Sequence, residues 1–215
     1  MSKQSTSHPT PSIQRLAELQ QLIADFAKVL RVPHLADTGR PENDVEHSFG
    51  LALTCWFLAP KIAPELSLEK ILQYALAHDT VEVHAGDTFV FGPQDALDSK
   101  SAREDAAIEQ IAADWPDFVE LSDYARGYKD KRDEEAKFVY AVDKILPVLM
   151  VNLGEKDRFW RRHKITLETQ IAEKVKINTS EYVAPYYTKM VAWMSDPDYY
   201  YKPSTDSTQT KSMKK

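Results

Sequence analysis

The sequence contains one cysteine and no long hydrophobic run, and these two shortages exclude several classes of protein. Because Cys55 is the only cysteine among 215 residues, an intramolecular disulfide is excluded, and the thiol most simply fills space in the core. No apolar segment approaches the roughly 18 residues of a membrane-spanning helix. Residues 1–11 are polar and lack the hydrophobic segment of a signal peptide. We therefore expect a cytoplasmic protein without a membrane partner.

The sequence also lacks an excess of basic residues. It has 27 Lys and Arg against 33 Asp and Glu, for a net charge of −6, and the basic residues are scattered. A nucleic-acid groove needs a basic surface, so we expect no nucleic-acid partner. Hydrophobic residues make up 43% of the chain, enough for one sizeable core. We predict one domain over residues 12–196, between loose polar tails at 1–11 and 197–215.

Apolar residues recur mainly at helical spacing, which predicts an all-α bundle. The predicted helices cover approximately residues 12–30, 43–61, 67 through the His-Asp pair at 78–79, 101–115, 133–153 with a kink at Pro147, 166–178 and 181–193. Core packing is the expected role of the first helix. Residues 31–42 are predicted to be a loop, and residues 88–99 a second loop that is a candidate lid. Only residues 88–91 have an ambiguous strand pattern.

The segment 78–87 concentrates side chains that bind metals. His78 and Asp79 follow the apolar run 71–77, so both should be buried, and buried polar groups need a partner. Glu82 lies four residues after His78 and therefore on the same face of a helix. Gly86 should end this turn and leave Asp87 on a loop over the site. An adjacent His and Asp suit a divalent cation that accepts nitrogen and oxygen ligands.

Two further candidate ligands lie on other predicted helices. His47 and Asp143 are each flanked by apolar residues, so both side chains should point into the core. A buried Asp143 needs a cationic partner, and the adjacent Lys144 is expected to face elsewhere. His47, His78, Asp79 and Asp143 would together hold one divalent cation, with room for water and a substrate oxygen. Mn, Co, Mg, Zn, Fe and Ni are all candidates for this cation.

These residues resemble the pattern of the HD-domain phosphohydrolases, which have a separated His, an adjacent His-Asp pair and a distant Asp. His47, His78-Asp79 and Asp143 match that pattern. More narrowly, residues 40–48 (Arg-Pro-Glu-Asn-Asp-Val-Glu-His-Ser) and residues 78–87 are similar to the 5'-deoxynucleotidase branch of the superfamily. The resemblance covers approximately residues 13–190.

The resemblance implies an HD-domain helical bundle with a metal site in its core and a small nucleotide as substrate. In the similar branch, the position of Glu82 positions or activates the attacking water. The position of Asp87 assists the substrate and leaving group, and that of Arg40 holds phosphate. The branch has no ligand at the position of His84. Its members are commonly homodimers, and an exposed aromatic segment at residues 199–201 is compatible with such an assembly.

The leading functional hypothesis is a 5'-nucleotidase that dephosphorylates deoxynucleoside 5'-monophosphates by means of a metal-activated water. One alternative is an alarmone hydrolase, because residues 78–82 also resemble that group, although the segment before His47 lacks its Arg-Ser-Gly and His-Pro elements. Another is a hydrolase of deoxynucleoside triphosphates, and a third is a non-catalytic helical binding module with a structural metal. Binuclear cyclic-dinucleotide phosphodiesterases are disfavoured because two further histidines are missing between Asp79 and Asp143.

Overall fold

The structure is a computed structural model that describes residues 10–35, 38–154 and 156–203. These residues are mostly helical, with 68% helix and 4% strand, so the predicted helical class is confirmed. The predicted tails fall largely outside the described residues. None of the described helices combines the length and hydrophobicity that crossing a bilayer requires.

The first part of the chain carries most of the long helices. It consists of α1 (Ile13–Phe26), β1 (Leu30–His34), β2 (Pro41–Asn43), α2 (Asp44–Ile62), α3 (Leu68–Ala77), α4 (Glu82–Ala85), α5 (Gln94–Asp114) and α6 (Val119–Asp130). The second part consists of α7 (Glu134–Asp143), α8 (Leu146–Gly154), α9 (Lys156–Arg162), α10 (Leu167–Lys174), a 3-10 segment (Val175–Thr179), α11 (Pro185–Trp193) and a final 3-10 turn (Pro197–Tyr199).

Side-chain caps fix the starts of the two helices that lead to the site. At the start of α2, Asn43 Oδ1 accepts from the Glu46 backbone N–H at 3.0 Å, and Glu46 Oε2 accepts from the Asn43 N–H at 3.1 Å. This reciprocal pair satisfies two amides that would otherwise lack partners. The Ser67 hydroxyl accepts from the Lys70 N–H at the start of α3. Both predicted starts are confirmed.

The predicted loop at residues 31–42 is wrong in part, because it contains an antiparallel β-ribbon. β1 pairs with β2, with Leu30 opposite Asn43 and His34 opposite Pro41. Both strands are short and each contains a proline, so no alternating pattern revealed them. The ribbon matters for the site because it brings the side chain of Arg31 to the start of α2.

Two predicted continuous helices are interrupted near the site. α3 ends at Ala77, so His78 to Val81 form a turn before the separate helix α4. The helix predicted over 133–153 ends at Asp143 and restarts as α8, instead of kinking at Pro147. A proline ring clashes with the carbonyl four residues earlier, which here is that of Asp143, so the break falls before the proline.

Two hydrophobic clusters form the core. The larger one includes Leu51, Tyr74 and Phe138, and the smaller one lies around Ile111 and contacts α1 only at its edge. The core role predicted for the first helix is confirmed only in part: α1 buries Phe26 fully, and Leu19 and Leu22 are partly buried against the smaller cluster. Most positions of α1 are exposed, and the covered ones recur at helical spacing, at residues 15, 19, 22, 25 and 26. Its first residue, Ile13, is 82% exposed.

The packed part of the chain extends past the predicted domain boundary at residue 196. Tyr200 is buried and stacks on Trp160, with ring centroids 5.5 Å apart. The segment 199–201 is therefore not the exposed aromatic surface that the sequence suggested. Cys55 is buried in the core, as expected.

Candidate metal centre and active site

The structure brings the four predicted metal ligands together from three separate elements. His47 comes from α2, His78 and Asp79 from the turn after α3, and Asp143 from the end of α7. His78 Nε2 lies 3.0 Å from Asp79 Oδ2, and His47 Nε2 lies 3.0 Å from Asp143 Oδ1. Ligand atoms of His47, His78 and Asp79 all lie within 4.8 Å of one another. Asp143 joins this group through its contact with His47. The four side chains therefore surround one space in which small movements of the ligand atoms would complete a metal site.

His78 supplies the strongest sign that a cation belongs here. Its Nδ1 donates to the Ala75 carbonyl at 2.9 Å, which fixes the ring and leaves Nε2 facing the cluster. Nε2 is buried and has no hydrogen-bond partner, although the Asp79 carboxylate is only 3.0 Å away. An imidazole nitrogen and a carboxylate oxygen are also the ligand types that a borderline divalent cation accepts together. A divalent ion between them satisfies both, so these residues fit a metal.

His47 is held in a strongly anionic environment. The ring is 1% exposed, with Nε2 on Asp143 and Nδ1 3.5 Å from Glu42 Oε2. Burial and the charge of Arg31 oppose protonation, but the two carboxylates outweigh them and raise the pKa of His47 to about 9. In the absence of a metal, the cluster therefore favours positive charge.

Asp143 is fixed by three partners, and two of them, Tyr128 and Lys144, were not predicted. Besides His47, its carboxylate accepts from the Tyr128 hydroxyl at 2.7 Å and from Lys144 Nζ at 2.6 Å. Burial opposes ionisation, but Lys144 and His47 hold the pKa of Asp143 well below its usual range. The prediction that Lys144 faces elsewhere is wrong, because α7 ends at Asp143 and the following side chain folds back on it.

A second acidic group adjoins the first and contains Glu82. Carboxylate oxygens of Asp44, Asp79 and Glu82 lie within 4.8 Å of one another. Glu82 Oε2 and Asp44 Oδ2 are buried without hydrogen-bond partners. Burial, and then the charge of Asp79, raise the pKa of Glu82 well above its usual value and that of Asp44 to about 6. Glu82 is thus placed to take up a proton beside the metal ligands.

Arg31 is a site residue that the sequence did not reveal. Its Nη1 donates to Asp44 Oδ1 at 3.1 Å and to Asp79 Oδ2 at 3.0 Å, and it lies 3.9 Å from Asp87 Oδ1. Burial opposes its charge, yet Asp79 and Asp87 keep its pKa well above the ordinary arginine value. Its partners come from distant segments, so no local pattern around Arg31 could have identified it.

Arg40, predicted to hold phosphate, is not at the site. Its side chain is 53% exposed and donates to both oxygens of Glu46, at 2.5 and 2.9 Å. The capping box holds the Glu46 side chain near the surface, and the ion pair with Glu46 holds Arg40 at the surface as well. Asp87, by contrast, lies beside the cluster, and burial raises the pKa of its carboxyl group. His84 lies 3.6 Å from Asp114 and away from the ligands.

A cavity of about 530 Å³ opens beside the cluster. Its wall includes residues of both acidic groups and their cationic partners: Arg31, His78, Asp79, Glu82, Asp87, Tyr128, Asp143 and Lys144. Arg103 of α5 holds the loop that follows Gly86, donating to the Ala85 carbonyl and to Thr88 Oγ1. The loop is shorter than the predicted lid, since α5 already begins at Gln94. The cavity gives a small molecule access to the predicted metal ligands.

Comparison with known proteins agrees with this geometry. The sequence profile of the HD domain matches residues 24–184. A crystal structure of a predicted metal-dependent phosphohydrolase from Magnetospirillum magnetotacticum MS-1 is similar, with a TM-score of 0.73 and 26% sequence identity. That similarity covers 87% of this chain and 99% of the other. A comparison with curated proteins finds no significant match. Because the profile spans most of the sequence, the chain belongs to the HD-domain family.

Proposed function

We propose that this protein is a metal-dependent phosphohydrolase that acts as a 5'-nucleotidase on deoxynucleoside 5'-monophosphates. One observation carries the proposal. His78 Nε2 is buried without a hydrogen-bond partner, and it faces the Asp79 carboxylate at the wall of a cavity of about 530 Å³. A structural metal site is normally closed, whereas a catalytic one keeps an open side. The similarity to a predicted metal-dependent phosphohydrolase supports the same reaction class.

His47, His78, Asp79 and Asp143 would hold one divalent ion, with Mn, Co, Mg, Zn, Fe and Ni as the candidates. Such an ion, when bound, polarises a phosphoryl oxygen and acidifies water. Lys144 and Tyr128 keep the Asp143 carboxylate ionised and oriented. The Ala75 carbonyl keeps the His78 ring in the orientation that presents Nε2.

The remaining site residues divide the work of hydrolysis. Arg31 binds the phosphate, because a planar guanidinium matches phosphate oxygens and lies between the ligand cluster and Asp87. Glu82 takes the proton of the attacking water, for which its unpartnered oxygen is free. Asp87, on the same cavity wall, gives a proton to the departing 5' oxygen. We therefore propose that Arg31 binds the phosphate group, in place of Arg40, to which the sequence assigned this role.

A panel of nucleotides tests this function. Deoxynucleoside monophosphates, deoxynucleoside triphosphates and guanosine tetraphosphate are assayed for phosphate and pyrophosphate release with Mn, Co, Mg and Zn. We expect phosphate release from the monophosphates, and none without metal. Pyrophosphate release from guanosine tetraphosphate would assign an alarmone hydrolase instead. If no nucleotide is hydrolysed with any metal, the chain is a binding module with a structural ion. The homodimer and the cytoplasmic location stay predictions.

A further inference from the structure

The cavity wall beyond the metal ligands is basic. The protein has a net charge of −6. Nevertheless, five lysines from α5, α6, α7 and the 3-10 segment, or from the residues directly after them, line this cavity together with Arg31: Lys100, Lys129, Lys131, Lys144 and Lys176. Scattered surface lysines would not converge on one cavity. This concentration therefore needs an anionic ligand or internal carboxylates to balance it.

Internal carboxylates balance four of these lysines. Lys129 Nζ lies 2.7 Å from Asp105, and Lys100 Nζ lies 3.5 Å from Glu104. Lys144 pairs with Asp143, and Lys176 lies 2.5 Å from Glu173.

Lys131 is the one lysine of this set that has no carboxylate partner among the described residues. Its ammonium group has only the Lys129 carbonyl, at 3.3 Å, and the face of the Tyr140 ring, 4.4 Å from its centre. No described carboxylate pairs with it, although it is partly buried. A partly desolvated ammonium group without a carboxylate is suited to receive an anion from outside the chain.

Lys131 shares the cavity wall with the ligand cluster and is linked to it through the Tyr140 ring. Lys144 Nζ lies 4.7 Å from the centre of the same Tyr140 ring and 2.6 Å from Asp143 Oδ2. The Tyr140 ring therefore joins Lys131 to a lysine that touches a metal ligand. Burial lowers the pKa of Lys131, and the charges of Lys144 and Lys176 lower it further, as expected for like charges held near one another.

We propose that Lys131, Lys144 and Lys176 form an anion subsite that binds a second phosphate group of the substrate, beside the phosphate at the metal ligands. This inference rests on the proposed phosphohydrolase reaction and extends its substrates beyond the monophosphates, to nucleotides that carry a second phosphate group. Nucleotides with two phosphate groups bind more tightly than the corresponding monophosphate. Lys131 contributes most to the difference, since its charge has no internal partner.

The test measures binding without turnover, in the Glu82→Gln variant loaded with Mn²⁺. Calorimetry compares deoxyadenosine 5'-monophosphate with the 5'-diphosphate and the 3',5'-bisphosphate, which differ in the position of the second phosphate. Inorganic phosphate and pyrophosphate are compared in the same way, to remove any dependence on the nucleoside. We expect at least one doubly phosphorylated probe to bind about 10-fold more tightly than its singly phosphorylated partner.

Substitutions in the same background identify the subsite. Lys131→Asn should abolish the preference while changing monophosphate binding by less than about threefold. Asparagine is chosen because Lys131 has φ 52°, a conformation that asparagine tolerates, so the fold should persist. Lys176→Ala, at an exposed position, should reduce the preference without any risk to folding. Lys129→Met is the matched control and should retain the preference for doubly phosphorylated probes.

Two results would overturn the subsite. One is equal binding of the singly and doubly phosphorylated probes. The other is a uniform loss for all probes in Lys131→Asn and Lys129→Met, which would indicate a general electrostatic field. The proposed function is tested separately, by phosphate release from the wild-type protein, so either proposal can fail without the other.

Discussion

At the scale of single residues, Glu82 carries the proposed proton transfer, because its carboxylate is buried and Oε2 has no hydrogen-bond partner. Glu82→Gln keeps the size of the side chain and removes its ability to accept a proton. We expect kcat to fall by about 100-fold or more, with metal content unchanged. Phosphate release and elemental analysis measure the two quantities. Glu69→Gln, at an exposed position, is the control. A Glu82 variant with more than half the wild-type kcat would remove this residue from the mechanism.

Arg31 and Arg40 form a contrasting pair, since the side chain of Arg31 lies against the ligand cluster and is only 12% exposed, whereas that of Arg40 is 53% exposed at the surface. Arg31→Lys keeps the charge but loses the planar fork, and we expect kcat/KM to fall by about 10- to 100-fold. Arg40→Lys should change it by less than about twofold, because an exposed ion pair contributes little. Steady-state kinetics on one nucleotide substrate measure both. A larger effect at Arg40 than at Arg31 would restore the role that the sequence assigned to Arg40.

The sequence could indicate the candidate ligands because each has a local signature. His78 and Asp79 follow an apolar run, and His47 and Asp143 lie among apolar neighbours on predicted helices. Arg31 has no such signature, since its carboxylate partners Asp44, Asp79 and Asp87 become neighbours only when the β-ribbon and α2 have folded. Local patterns identify buried polar residues, whereas a buried charge balanced by remote charges depends on tertiary structure.

At the scale of elements, the capping box of α2 positions His47 at the end of the first helical turn. Asn43→Ala removes one side of the box and should destabilise the fold by about 1 kcal/mol, or roughly 2–4 °C in Tm. We also expect weaker metal binding, because fraying of this turn displaces His47. Thermal unfolding and metal titration measure the two effects.

Ser12→Ala provides the matched control for that variant. Ser12 caps α1, which buries only Phe26 and contributes no ligand. This change should cost a similar amount of stability and leave metal affinity unchanged. Equal metal affinity in both variants would show that the start of α2 does not position His47.

The same elements show which parts of the fold were predictable. Asn43 and Ser67 mark helix starts because their side chains accept from nearby amides, an interaction within one turn. The β-ribbon was missed because three-residue β2 is too short to show a period. The sequence predicted a kink at Pro147, but the helix breaks after Asp143, because a proline disrupts the helical turn that precedes it.

At the scale of the whole molecule, the buried cluster makes the stability of the metal-free protein depend on pH. The pKa of His47 is raised from 6.5 to about 9, so the folded chain keeps a proton that the unfolded chain loses above pH 6.5. The stabilisation is full below pH 6.5 and is lost as the pH rises through about 9. The raised pKa values of Asp44 and Glu82 act in the same direction at lower pH.

We therefore expect the contribution of His47 to the stability of the metal-free protein to fall by ~3 kcal/mol between pH 6.5 and 9. Buried Lys174 partly offsets this loss, because burial lowers its pKa to about 8 and the cost of burying its charge is relieved as the pH rises. A divalent metal should raise Tm more at pH 8 than at pH 6, because protons compete for its ligands. Denaturant unfolding and thermal scans across this range, with and without Mn²⁺, measure both effects. His47→Gln should flatten the pH dependence, and His84→Gln should not. The same pH dependence of stability in the metal-free wild type and in His47→Gln would contradict the charge balance described for His47.

The most direct measurement is the anomalous scattering of Mn²⁺ in crystals of the protein. One peak should lie within bonding distance of His47 Nε2, His78 Nε2 and the carboxylates of Asp79 and Asp143, with an open side toward the cavity. Mn²⁺ bound elsewhere, or a peak at the cluster from which His47 or Asp143 is turned away, would contradict the four-ligand site.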